Sequence, residues 1–226
     1  MRFVARALGC VVVALALPFV GFAVFGRFGA VTGACMSVLG LLWLWLWLPR
    51  VAHASFEAGK YTSAARRYRM LGALATSTAR ERAALLSRSG CCVAHGDLAG
   101  ADRILAILAE HDLAAAERAV WLNNRACRTL AAGSDPHAGH TALALADEAS
   151  ALRPDVPALQ HTRGMALLAV GRVDDAIAVL DGMRAGGELP ARLEAERCRD
   201  LARAWTQKGE AAYAEDYRLR ADALAR

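Results

Sequence analysis

The stretch "LQHTRGMALLAVGRVDDAIAVLDGM", residues 159–183, holds two apolar runs of helical period with one glycine, Gly171, between them. A small residue, Gly164, stands seven positions before that glycine, and another, Ala176, five positions after it. Larger apolar residues follow on the same faces: Leu167, Leu180 and Met183. Two helices joined by a tight turn need this arrangement. Glycine permits the turn. Small residues on either side let the two helices touch. A larger side chain one or two turns on fills the seam.

The pattern recurs in both directions. Gly59, Gly96, Gly133, Gly171 and Gly209 fall 37, 37, 38 and 38 residues apart. Five residues after them come Ala64, Ala101, Ala176 and Ala214, and seven before stand Ser89, Ala126, Gly164 and Ala202. Twelve after come Leu71, Leu108, Met183 and Ala221. Self-similarity at a period of 20–50 residues is the signature of a repeat array. The chain is therefore expected to be all-α, with about five helix pairs forming an α-solenoid over residues 51–226 and a charged capping helix at its end.

These units resemble the tetratricopeptide repeat (TPR) family, through Gly164, Leu167, Gly171, Ala176, Leu180 and Met183. "LARAWTQKGEAAYAEDY" (201–217), "FEAGKYTSAARRYRML" (56–71), "GDLAGADRILAIL" (96–108) and "WLNNRACRTLAAG" (121–133) are similar to it in the same phase. The period is longer than the family's usual 34 residues, and "SDPHAGH" interrupts the third pair. The resemblance implies a protein-interaction scaffold in which first helices line a concave groove. It places Asn123, Asn124, His161 and Met165 near that groove, where a peptide or helix of another protein would bind. The lysines of the family's acidic-tail clamp are absent from these helices.

The first fifty residues differ from the rest. They contain no Asp or Glu, and their charges are Arg2, Arg6, Arg27 and Arg50. Ala7–Phe25 and Gly29–Leu48 are uncharged and mostly apolar, 19 and 20 residues long. Each is long enough for a hydrocarbon core about 30 Å thick. With only Gly26-Arg27-Phe28 between them, they are expected to form a transmembrane hairpin over residues 1–50. No convincing cleavage site accompanies the first segment, so a removed signal peptide is the weaker reading. Basic residues flank the hairpin on both outer sides, which predicts both termini in the cytoplasm of a bacterial inner-membrane protein. Gly29, Gly33 and Ser37 recur every fourth residue as a helix-packing seam, and they leave homo-oligomerisation open. In "LLWLWLWLPR" (41–50), Trp43, Trp45, Trp47 and Arg50 read as a membrane-interface belt rather than a ligand platform.

Outside those fifty residues the charge is nearly balanced, with 23 basic and 22 acidic side chains, so no nucleic-acid partner is expected. The six cysteines form no metal-ligand or disulfide framework, and the adjacent Cys91 and Cys92 read as small helix residues. His137 and His140 with Asp135 make a possible metal-binding loop, but the simpler reading is a polar insertion. Arg88, Arg125 and Arg163 recur eight residues before a turn glycine and are expected to pair with neighbouring repeats. Neither GxSxG, P-loop, HExxH nor a dinucleotide turn occurs, and no enzyme activity or cofactor is expected. A structural subunit or assembly factor of a membrane complex is the alternative function. A factor of the HemY-like kind, which shares the topology, is a more distant one.

Overall fold

The computed structural model describes residues 2–133 and 137–224, and every regular element among them is helical. The helices are α1 (Arg2–Leu42), α2 (Leu48–Glu57), α3 (Tyr61–Ala73), α4 (Thr78–His95), α5 (Leu98–Ala109) and α6 (Ala115–Ala132). They continue as α7 (Ala138–Leu152), α8 (Pro157–Ala169), α9 (Val173–Gly182), α10 (Ala191–Gln207) and α11 (Ala211–Leu224). One wide π-helical turn, Trp43–Trp47, joins α1 to α2.

The five periodic glycines sit where the sequence puts the turns. Gly59, Gly96, Gly133, Gly171 and Gly209 have φ of 70°, 84°, 60°, 76° and 79°. Four of these turns close identically. The glycine N–H donates to the carbonyl three residues back, and the next N–H donates to the carbonyl five back, as in Lys60 to Ser55 and Arg172 to Leu167. This double closure of a helix end around a left-handed residue is the Schellman motif. The chain uses one hydrogen-bonded solution for the turn four times, which makes the period regular.

The chain divides into two compact units, Met1–Cys91 and Cys92–Arg226. In the second, α6 packs on α7, α8 on α9 and α10 on α11, with α8 also against α7. The small positions lie at the crossings: Ala101, Ala126 and Ala176 are wholly buried, and Ala202 and Ala214 nearly so. Gly164 shows why size matters there. A Cβ at that position would stand 2.6 Å from Leu180 Cδ2 and 2.7 Å from its Cγ. Leu167, Leu180 and Leu201 form the centre of the apolar core.

Two polar clusters cross this core. His161 Nε2 on α8 lies 2.9 Å from Asp200 Oδ2 on α10, with both side chains 7% exposed. Arg197 on α10, 2% exposed, makes paired bonds to Glu194 at 2.7 and 2.8 Å and donates to the Leu180 carbonyl of α9 at 3.3 Å. Asp181 then accepts from Tyr217 of α11 at 3.2 Å. Three successive helices are thus tied at one level.

In the first unit, the helical geometry of α1 breaks at Gly26, with φ 61° and ψ −144°. The chain folds back there. A Cβ on either Gly21 or Gly29 would collide with the other's carbonyl oxygen, so the two backbones touch. Gly29 is buried by this contact, while Gly33 and Ser37 are half-buried, with Ser37 Oγ donating to the Gly33 carbonyl at 2.9 Å. Phe19, Phe25 and Phe28 are 74–88% exposed. The α-helix stops at Leu42 rather than running to Leu48, because the π turn intervenes. Pro49 then occupies the first turn of α2, where its missing N–H leaves no bond unmade. Leu48 and Ala52 of α2 are buried, and α2 packs on α3. Arg67 donates to Ser55 Oγ at 2.9 Å, and the Phe56 and Tyr61 rings meet edge-on at 5.4 Å across the turn.

Candidate functional site

Three first helices of the second unit, α6, α8 and α10, share a face with the last residues of α4. Between them lies an open cavity of about 500 Å³, lined by Val93, Cys127, Leu130, Met165, Leu168 and Arg203, among others. Each lining residue comes from a first helix. The small positions of the period place the second helices against the opposite sides, leaving this face uncovered.

The cavity is mostly apolar. Cys127 Sγ lies 3.3 Å from Thr162 Oγ1. Burial pushes the Cys127 thiol up from its ordinary pKa, outweighing the opposite effect of the Thr162 hydroxyl. Near neutral pH the sulfur is therefore a neutral, soft wall rather than a reactive thiolate. Arg203 brings charge to the rim. Its side chain is 71% exposed and donates to Asp200 Oδ1 at 3.0 Å. That carboxylate also meets His161, so the buried cross-link steadies the rim arginine.

The four groove residues named from sequence do different things. Met165 lines the cavity. Asn123 is half-buried, its Nδ2 reaching Cys127 Sγ at 4.0 Å and its Oδ1 buried without a hydrogen-bond partner. Asn124 is buried within the α6 packing. His161 is 6% exposed and turned toward Asp200. Asp200 and Arg203, which complete this arrangement, carry no sequence signal: the partner of Asp200 lies 39 residues away on another helix, and Arg203 with Asp200, three residues apart on α10, reads as an ordinary solvated pair.

At the junction, Trp45 and Trp47 are 43% and 61% exposed, and the side chain of Trp43 lies outside the described residues. Arg80 stacks over Trp45, and Arg50 reaches the Leu46 carbonyl at 3.4 Å. The arginines at equivalent positions diverge. Arg163 pairs with Asp147 of α7 at 2.6 Å, whereas Arg125 stacks over Trp121 of its own helix at 4.6 Å. His137 and His140 are both exposed, and Asp135 lies outside the described residues. Among the described residues no group of three His, Cys, Asp or Glu could hold a metal ion. Cys91 and Cys92 are both buried, and neither is in a disulfide.

No family model matches the chain, and no curated protein is similar to it. Solved structures give some likeness. MamA MSR-1 superposes with TM-score 0.45 at 17% identity, over 79% of this chain and 95% of that one. MamA AMB-1 gives 0.47 at 18%, over 79% and 98%. A kinesin light chain of Podosopora anserina with nearly identical TPR-like repeats gives 0.47 at 19%, over 78% and 92%.

Proposed function

We propose that this chain is a membrane-tethered interaction scaffold. Its first-helix face holds an apolar peptide or one face of a partner helix, and its N-terminal hairpin confines that partner to a membrane. The cavity of about 500 Å³ on the face shared by α6, α8 and α10 carries the reading. It is concave, apolar and bounded by an anchored cation, Arg203, which suits an apolar side chain followed by a carboxylate. Support for tethering comes from the apolar stretch Pro18–Glu57, which passes for a bilayer span by length and composition despite its breaks at Gly26 and Trp43–Trp47, and whose most apolar window is 13% buried. Held near a membrane, even a weak partner reaches a high effective concentration.

A photoreactive residue at Met165 tests this in cells. It is expected to give a discrete adduct, whereas one at Ile107, exposed on the second helix α5, gives none. Equal labelling at both sites defeats the reading.

A second reading, a subunit of a larger membrane complex, draws on the exposed Phe19, Phe25 and Phe28 of the hairpin arms. Purification in mild detergent followed by mass spectrometry separates the two. Stoichiometric integral-membrane partners favour the subunit, and soluble ones favour the scaffold.

A further inference from the structure

The near-balance of charge outside the apolar arms conceals an asymmetry. Residues 49–91 hold eight Arg and Lys against two Glu, whereas residues 92–226 hold sixteen against twenty Asp and Glu. The excess of positive charge is confined to the segment that follows the apolar stretch directly. In that same unit a cavity of about 300 Å³ opens among Trp45, Tyr68, Leu71, Leu74, Arg80 and Ser87, together with four smaller contributions. Its walls are almost wholly apolar, and Arg80 is the one cation in them.

We infer that this cavity is a binding site for a single anionic phospholipid, with part of an acyl chain against Leu71 and Leu74 and the phosphate on Arg80. Three observations converge on that ligand. The volume is at the small end of ligand pockets, about 300–1,000 Å³, and suits part of a chain rather than a folded partner. Trp45 belongs to both the wall and the end of the apolar stretch, so the cavity starts where a bilayer's headgroups would lie. Arg80 is held by its face. Its guanidinium lies 3.9 Å from the centroid of Trp45, and Nη1 donates to Thr76 Oγ1 at 3.2 Å. Stacking leaves the in-plane edge of the guanidinium available, and that edge suits the paired oxygens of a phosphate. Tyr68 adds a neutral hydroxyl, since burial pushes its pKa above the ordinary value. The surrounding excess of basic residues draws anionic lipid toward the same place.

The inference rests on the membrane-anchored reading, and its test keeps the two apart. The full-length chain in mild detergent is mixed with equal amounts of dioleoyl-phosphatidylglycerol and dioleoyl-phosphatidylcholine and examined by native mass spectrometry. The phosphatidylglycerol adduct is expected to dominate. Arg80→Gln is expected to weaken that adduct about tenfold, with helical circular dichroism unchanged. Leu71→Trp, which fills the cavity, is expected to remove it. Inorganic phosphate added alone is expected to leave the adduct in place. Equal retention of the two lipids, an adduct indifferent to Arg80→Gln, or displacement by inorganic phosphate each overturns the inference. Alkaline carbonate extraction of native membranes tests the anchor. A released chain removes both readings, while a retained chain without lipid preference removes only this one.

Discussion

The guanidinium of Arg80, at the start of α4, stacks on the ring of Trp45, 35 residues earlier in the wide turn that ends the apolar stretch. The pair fastens the base of the N-terminal arms to the helices that follow within the same unit. A flexible linker would leave the tryptophan free to reorient, and the sequence between Pro49 and Ala58 contains no such spacer. Cation–π contacts at exposed sites contribute about 0.5–1 kcal/mol. A double-mutant cycle on Trp45→Ala and Arg80→Gln should return a coupling energy of that size. Hydrogen exchange at the first amides of α4 should quicken equally in either single variant.

Gly164→Ala should be costly although alanine is the better helix former. The added methyl would meet Leu180 Cγ and Cδ2 inside 3 Å, so the Leu180 side chain or the helices themselves must shift. Overpacking of this kind costs about 1–3 kcal/mol. Leu180→Ala should cost about 2–5 kcal/mol by itself through the cavity it leaves. Combined, the two should cost clearly less than their sum, as read by chemical unfolding of the full chain in detergent. Strict additivity would mean that the contact is not what limits the site.

His161→Ala should lower stability without altering how a partner contacts the groove. It strands the buried Asp200 carboxylate, whose other contact is the exposed Arg203. A buried polar group left without its partner costs about 1–3 kcal/mol, and more if charged. The thermal midpoint should fall, while the labelling pattern from Met165 at low temperature should be preserved. Were labelling lost with stability intact, His161 would be a contact residue rather than a packing one.

Glu194 sets a pH dependence. Its bonds to Arg197 hold its carboxyl below the ordinary carboxylate value, against the opposing effect of burial. A depressed carboxylate contributes stability above its unfolded value, about 4.3, and loses it as pH falls through the lower folded value. Glu194→Gln should therefore destabilise the chain at pH 7, by about 1–3 kcal/mol, because Arg197 keeps Asp181 and the Leu180 carbonyl but loses its paired carboxylate. The gap between wild type and variant should close in the acid range. Urea midpoints at pH 7, 5 and 3 would measure it, and a constant gap would remove Glu194 as the cause.

The parts of this fold that depend on local chemistry were readable in advance. A turn glycine with small neighbours at fixed offsets leaves few alternatives, and Ala64, Ala101, Ala126, Ala176 and Gly164 are all buried as that spacing requires. The sequence also marks Gly26, between two apolar stretches, as the place where the helical geometry breaks. What depends on distant pairing was not. Arg197 lies in "RLEAERCRDLARAW", where any helix of that composition would be taken as solvated, yet it is 2% exposed because Glu194, Asp181 and the Leu180 carbonyl surround it. His161 and Asn124 carried the opposite ambiguity. Polar residues on a first helix look like groove residues until the neighbouring helix is placed beside them. The single π turn was hidden too, because Trp and Leu alternate through it without a break in composition.

That wide turn has a geometric effect reaching past its five residues. A π turn accommodates one residue more than an α turn does, and one residue is about 100° of rotation about the axis. The buried stripe of α2, Leu48, Ala52 and Ser55, therefore emerges at a different azimuth from the one an unbroken α-helix would have given it. The direction in which the first repeat faces is written as an angular phase in the backbone itself, at the point where the chain leaves its apolar arms.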